Sequence, residues 1–183
     1  MPILQATPNN DRLWCAGTTF GTLPPFGPKT GTQVAKISIA VGTVYGGAKL
    51  VAEEIQSALE NLEHEVTLLE DARGGDLESD DIDLLLICTS TTGAGELPEE
   101  IQGLLNDLVD APPRIVGLKF AVIALGDSSY GDTYCGGGLS LDNALTEAGA
   151  EQIAEPLQLD ALETVTPEDD AVPWAVDLVQ QIA

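Results

Sequence analysis

The stretch ISIAV (37–41) runs straight into GTVYGGA (42–48), an apolar run followed at once by a glycine-rich turn. The same step recurs twice. IDLLLICT (82–89) leads into STTGAGELP (90–98), and KFAVIAL (119–125) leads into GDSSYGDTYCGG (126–137). In all three runs the apolar residues are continuous rather than alternating, the pattern of strands buried on both faces. Strands of that kind belong to parallel sheets covered by helices on both sides. In such sheets ligands bind outside the carboxyl ends of the strands, near the point where strand order reverses. Three polar, glycine-rich loops at three such ends predict one composite ligand site.

The segments between the runs fit this architecture. Ala48, Val51, Ala52, Ile55, Leu59 and Leu62 follow the 3.6-residue period of a helix packed on a sheet. HEVTLLE (64–70) reads as the second strand. Pro98 opens the next helix, with Ile101, Leu104, Leu105 and Leu108 as its apolar stripe. A third helix ends near Gly149, a C-terminal cap, and IAEPLQL (153–159) reads as the fifth strand. Thr166 to Asp169 starts a final helix through Trp174, Leu178 and Ile182. Strands alternating with helices require parallel pairing with right-handed crossovers.

Residues 1–35 contrast with this, holding five Pro, four Gly and six Thr and no periodic apolar pattern. They read as a flexible N-terminal extension, with 36–183 as the folded domain. Trp14, Phe20 and Phe26 are unusual in a spacer and leave open a docked tail.

The 183 residues carry 30 acids against 7 bases, a formal charge of −23, and 36–183 hold 29 of the acids. Such a surface repels nucleic acid and anionic membranes, and suits a basic protein partner. Acidity that serves only solubility is equally compatible with it. No stretch reaches the length of a membrane span, and the amino terminus has no basic start with an apolar block. Cys15, Cys88 and Cys135 are odd in number and widely spaced, which predicts a reduced, cytoplasmic setting and no metal site.

The first loop is neither of the common dinucleotide or nucleoside-triphosphate glycine motifs. Gly42, Gly46 and Gly47 let the backbone approach a ligand, the following helix offers free N–H groups to a phosphate, and Thr43 adds a hydroxyl. Alone, it is equally compatible with a plain glycine turn. The third loop is more specific. From Lys36 on there are five aromatics, Tyr45, Phe120, Tyr130, Tyr134 and Trp174, and three of them fall in the first and third loops rather than in the strands and helices. Tyr130, at an exposed loop position, predicts a flat ligand to stack against.

GDSSYGDTYCGG resembles the signature of the flavodoxin family, GTVYGGA that family's phosphate loop, and STTGAGELP its loop beside the flavin N5. The resemblance covers about 36–183 and is nearest to the short-chain branch, with MioC-like proteins and the flavin mononucleotide (FMN) domains of diflavin reductases. It implies a flavodoxin-like, doubly wound five-stranded parallel sheet of order 2-1-3-4-5 with helices on both faces. It also implies FMN as cofactor. The phosphate contacts then fall on Thr43, Val44, Tyr45, Gly46, Gly47 and Ala48 after Gly42, largely as backbone N–H groups. Ser90, Thr91, Thr92, Gly93, Ala94 and Gly95 form the N5 loop, Gly93 matching the glycine whose peptide reorients when N5 gains a proton. Tyr130 matches the stacking tyrosine, with Gly126, Asp127, Ser128, Ser129, Tyr134, Cys135 and Gly136 along the ring's edge.

The chain departs from the family's pattern at three places. Tyr45 and Ala48 stand where threonines are common, Thr92 stands where many relatives place an aromatic, and Gly136–Gly138 extends a shorter Cys-Gly pair, a run expected to loosen that loop.

The implied role is a low-potential carrier of single electrons, a monomer serving a flavodoxin- or ferredoxin-type NADP reductase and an acceptor enzyme. His64, the one histidine, opens the second strand at the far end of the sheet and reads as a solvated surface residue, so a Cys–His or Ser–His nucleophile is not expected. Cys88 reads as core, and Glu96, Glu99 and Glu100 as helix-start acids that also suit a basic partner. A signalling receiver shares the architecture but needs an Asp where Cys88–Thr89–Ser90 stands. A flavin enzyme with its own substrate and a relative that no longer binds flavin stay open.

Overall fold

The computed structural model describes residues 34–182. The expectations placed on 1–33, among them those for Cys15, Trp14, Phe20 and Phe26, lie outside these residues.

The order is β1 (Lys36–Gly42), α1 (Gly47–Glu60), β2 (Glu65–Leu69), β3 (Leu84–Ser90), α2 (Glu99–Asp110), β4 (Lys119–Gly126), α3 (Gly136–Glu147), β5 (Glu151–Gln152), β6 (Leu157–Asp160) and α4 (Glu168–Ile182). All strand pairs are parallel, in the order β2-β1-β3-β4, and β5 and β6 share the fifth position beside β4. This is the doubly wound sheet expected, and its order reverses between β1 and β3, where a ligand crevice forms.

The central strands are buried on both faces because two cores flank them. Ile37, Ile39, Val41, Leu84, Leu86, Ala121 and Ile123 pack against α1 and α4. The alternate residues Ala40, Leu85, Ile87, Phe120 and Val122 pack with α2 and α3. Each fully buried Leu or Ile contributes about 1.5–3 kcal/mol of transfer free energy. α1 presents Ala48, Val51, Ala52, Ile55 and Leu59 to the first core, while Leu62 falls beyond the helix end and is 40% exposed. In α2, Ile101, Leu104 and Leu108 are buried and Leu105 is only partly so. α3 ends as its sequence requires: Gly149 takes φ 91°, its N–H donates to Thr146 O at 3.0 Å, and Ala150 N–H donates to Leu145 O at 3.0 Å.

Two expectations are corrected. The fifth strand is broken: Glu151 pairs with Lys119 but Leu157 pairs with Ile123, so the edge carries two extra residues within 153–156. Pro156 has no N–H for a ladder, and an edge bulge is where such a residue is tolerated. His64 is not solvated. It is 6% exposed, and its Nδ1 accepts the Ala35 N–H at 3.1 Å. Ala35 is itself buried in the core.

Candidate functional site

The carboxyl ends of β1, β3, β4 and β6 surround a cleft of about 570 Å³, within the range typical of small-molecule sites. The first loop forms one wall. Gly46 takes φ 86° and starts α1, its N–H donating to Thr43 Oγ1 at 2.9 Å. The first-turn N–H groups of α1 have no intrahelical acceptor, and its positive dipole end favours an anion. α2 and α4 open with two and three acids respectively, whereas α1 has none in its first turn despite the chain's charge. Lys49, in that turn, is held by Glu70 at 2.6 Å, which raises its pKa. Thr43 N–H donates to the Glu100 carboxylate at 3.1 Å, tying the loop to α2.

The second loop is a tight hairpin. Thr92 N–H donates to Glu96 O at 2.9 Å, and the Thr92 carbonyl accepts from both Glu96 N–H (2.8 Å) and Gly95 N–H (3.1 Å). Gly93 and Gly95 take positive φ, 54° and 96°, which only glycine adopts without strain. At the loop's base, the Ser90 Oγ is buried with no hydrogen-bond partner.

The third loop begins with Asp127, which accepts Ser129 N–H at 2.9 Å. Asp160 at the end of β6 accepts Ser128 N–H (3.1 Å) and Leu162 N–H (3.0 Å). Hydrogen bonding from the Ser128 side chain first, then from the Leu162 N–H, holds its pKa below the usual range. Tyr130 and Tyr45, from different loops, both line the cleft and are 66% and 99% exposed. The Tyr134 phenol is pushed up to about 12, chiefly by burial. Cys135 caps α3 at φ 54°, a strained value for a residue with a side chain. Its thiol is buried, its pKa is raised by that burial, and it donates to Ala124 O at 3.3 Å. Cys88 is also buried, its thiol pushed up to about 12.

Of the residues singled out in the first loop, Thr43, Val44, Tyr45, Gly47 and Ala48 line the cleft. So do Ser90, Thr91, Thr92 and Gly93 of the second, and Gly126, Asp127, Tyr130, Tyr134 and Cys135 of the third. Gly42, Gly46, Ala94, Gly95, Ser128, Ser129 and Gly136 do not line it. Gly42 leaves room for the Ile101 side chain, the nearest group, and for the Thr89 hydroxyl, 2.7 Å from where a Cβ would lie, and Gly46 supplies the left-handed turn. Leu125, Thr133 and Ala161 line the cleft without having been singled out. Leu125 and Thr133 sit inside or beside the quoted motifs, whereas Ala161 follows a strand whose break hid its end.

The Gly136–Gly138 run does not loosen its loop. A Cβ on Gly136 would lie 3.0 Å from the Gly95 carbonyl oxygen, one on Gly137 3.1 Å from Glu96 O, and one on Gly138 2.5 Å from the Ala124 Cβ. These glycines exist for close packing.

Among the described residues no group of three or more His, Cys, Asp or Glu side chains is placed to hold a metal. The donors at this site suit a phosphorylated, flat ligand: an uncompensated helix start, an unpartnered buried hydroxyl and exposed tyrosines.

Comparison with known proteins names that ligand's class. The flavodoxin family profile matches residues 39–174, and the chain belongs to the flavodoxin family, whose members carry electrons on FMN. Flavodoxin YqcA of Escherichia coli is 40% identical over 141 residues, covering 77% of this chain and 94% of that protein. Protein MioC of the same organism is 32% identical over 141 residues, covering 77% and 94%. A solved structure of flavodoxin from Pseudomonas aeruginosa, a mutant with one cysteine replaced by alanine, superposes with a TM-score of 0.73 at 41% identity, covering 80% of this chain and 98% of that one.

Proposed function

We propose that the cleft holds FMN through the residues of the three loops, and that the protein passes single electrons between a reductase and an acceptor enzyme. The convergence of all three loops on one cleft carries this reading. Bound FMN supplies one-electron chemistry coupled to protonation at N5. The α1 N-terminus and the N–H groups of Val44, Tyr45, Gly47 and Ala48 would bind the phosphate, with the Ser90 hydroxyl as a further donor. The Thr43 and Gly46 N–H groups stay engaged by Glu100 and the Thr43 hydroxyl and hold the loop's shape. Tyr130 covers one ring face. Thr92 is smaller than an aromatic and would leave the other face to Tyr45, an exposed residue of the cleft wall, or to a partner. The Gly93 carbonyl, exposed at the hairpin tip and without a partner among the described residues, would be the acceptor offered to a protonated ring nitrogen of the flavin.

The acids at the cleft, Asp127 in its wall, Glu96 beside Gly93 and Glu100 on Thr43, disfavour added negative charge on the ring and match a basic partner surface. That pairing fits a flavodoxin- or ferredoxin-type NADP reductase meeting a monomeric carrier in the cytoplasm. No helix among the described residues is long and apolar enough to cross a membrane. Titration of the purified chain with FMN, followed by stepwise anaerobic reduction in a spectrophotometer, tests the reading. Stoichiometric uptake with two resolved one-electron steps supports it. A folded chain that takes up no flavin sinks it.

A further inference from the structure

The hairpin 92–96 is fixed everywhere except at one peptide. The carbonyl of Thr92 and the N–H groups of Thr92, Gly95 and Glu96 are all hydrogen-bonded within the hairpin. The Gly93 carbonyl and the Ala94 N–H, which belong to the same peptide unit, have no partner among the described residues.

The fixed side is braced from the third loop. Gly136 approaches so closely that a Cβ there would lie 3.0 Å from Gly95 O and 3.2 Å from Gly95 Cα. A Cβ on Gly137 would stand 3.1 Å from Glu96 O, and one on Gly95 3.2 Å from the Thr133 Cβ. Gly137 N–H also reaches the Thr91 hydroxyl at 3.4 Å. By contrast, Gly93 and Ala94 are exposed, and the one group found over Gly93 is the flexible Glu96 side chain.

We propose that Gly136 is a positioning residue for electron transfer: by bracing the Gly95 backbone it confines rotation to the Gly93–Ala94 peptide and sets where the Gly93 carbonyl points. Its own conformation does not require glycine, since it is the first residue of α3 and its φ is not positive. Alanine there is the better helix former by about 1 kcal/mol. The substitution Gly136→Ala therefore acts on Gly95 rather than on its own helix, pushing that backbone by a few tenths of an ångström.

The redox half of this inference rests on the flavin reading of the cleft, and the mechanical half is read without cofactor. Amide hydrogen exchange of the cofactor-free wild-type chain should show Gly95 and Glu96 protected at least about a hundredfold relative to Ala94. Equal exchange at Ala94 and Gly95 overturns the inference. In the FMN-loaded chain, dithionite titration against reference dyes gives the two one-electron equilibria, the electron coming from dithionite and the N5 proton from solvent. Gly136→Ala should weaken the first equilibrium about tenfold, the equivalent of one hydrogen bond, while oxidised FMN binds within about threefold of wild type. Gly75→Ala, at a site where a Cβ meets nothing within 4 Å, should leave both equilibria within about twofold. Unchanged equilibria in Gly136→Ala overturn the inference while leaving the flavin reading intact. A wild-type chain that takes up no flavin overturns the redox half together with the reading beneath it.

Discussion

Glu100, in the first turn of α2, accepts the Thr43 N–H at 3.1 Å, so a carboxylate from the neighbouring helix anchors the loop that would hold a phosphate dianion. Anchoring and repulsion oppose each other in this one contact. Lys49, in the first turn of α1, is engaged by Glu70 and offers little relief.

Glu100→Gln separates the two effects, because the amide oxygen still accepts from Thr43 while the charge is gone. FMN affinity should rise about two- to fivefold, the range of exposed charge interactions. Raising the salt concentration should strengthen wild-type binding by screening the same repulsion, and should do so less in the variant. Quenching of flavin fluorescence reads both. Weaker binding in Glu100→Gln would show that the anchor, not the charge, dominates.

Ser90 gives a prediction of opposite signs in two states. Its hydroxyl is buried without a partner, a cost that the folded chain carries. Ser90→Ala should leave the cofactor-free protein as stable as wild type or more stable by up to about 1 kcal/mol in urea unfolding. The same variant should bind FMN at least about tenfold more weakly, since a hydrogen bond to a charged group is worth about 1.5–3 kcal/mol. A hydroxyl that serves only packing would lower stability and leave affinity alone.

What could be seen in the sequence follows from how local the signals are. The strands β1, β3 and β4 were legible because burial on both faces leaves continuous apolar runs, and their loops because tight turns at strand ends need glycine. The Gly149 cap was legible for the same reason. His64 was not, since its partner is the Ala35 N–H, 29 residues away. Nor was the purpose of Gly136–Gly138, which lies in the backbone of Gly95 and Glu96 on another loop. The broken fifth strand carried a hint in Pro156, but only the register against β4 shows two extra residues. That break also concealed Ala161 as part of the cleft wall.

Tyr130 lends its ring rather than its hydroxyl. The side chain is 66% exposed, so removing it costs the cofactor-free fold little. Tyr130→Ala should weaken FMN binding about tenfold, combining lost area with the roughly 0.5–1.5 kcal/mol of aromatic stacking. It should also relieve much of the quenching of flavin fluorescence. Tyr130→Phe keeps the face and should stay within about twofold of wild type. A phenylalanine variant as weak as the alanine one would move the contribution to the hydroxyl.

Asp107 connects the turn after β2 to α2 and makes acid stability predictable. Its carboxylate takes the Arg73 guanidinium in two bonds, Nε at 2.8 Å and an NH2 nitrogen at 2.7 Å, and accepts Gly74 N–H at 2.9 Å. Those bonds, the Arg73 side chain first, lower its pKa from 3.8 to about 2. A carboxylate whose folded value lies below its unfolded one stabilises the fold above the unfolded value and loses that contribution as pH falls through the folded one. The contribution is therefore complete at neutral pH and fades between about pH 4 and pH 2. Asp107→Asn should lower the urea midpoint at pH 7, and the gap to wild type should close across that acid window as the wild-type carboxyl takes up its proton. A gap that stays constant down to pH 2 would place the stabilisation in the shape of the side chain and its bond to Gly74, not in its charge.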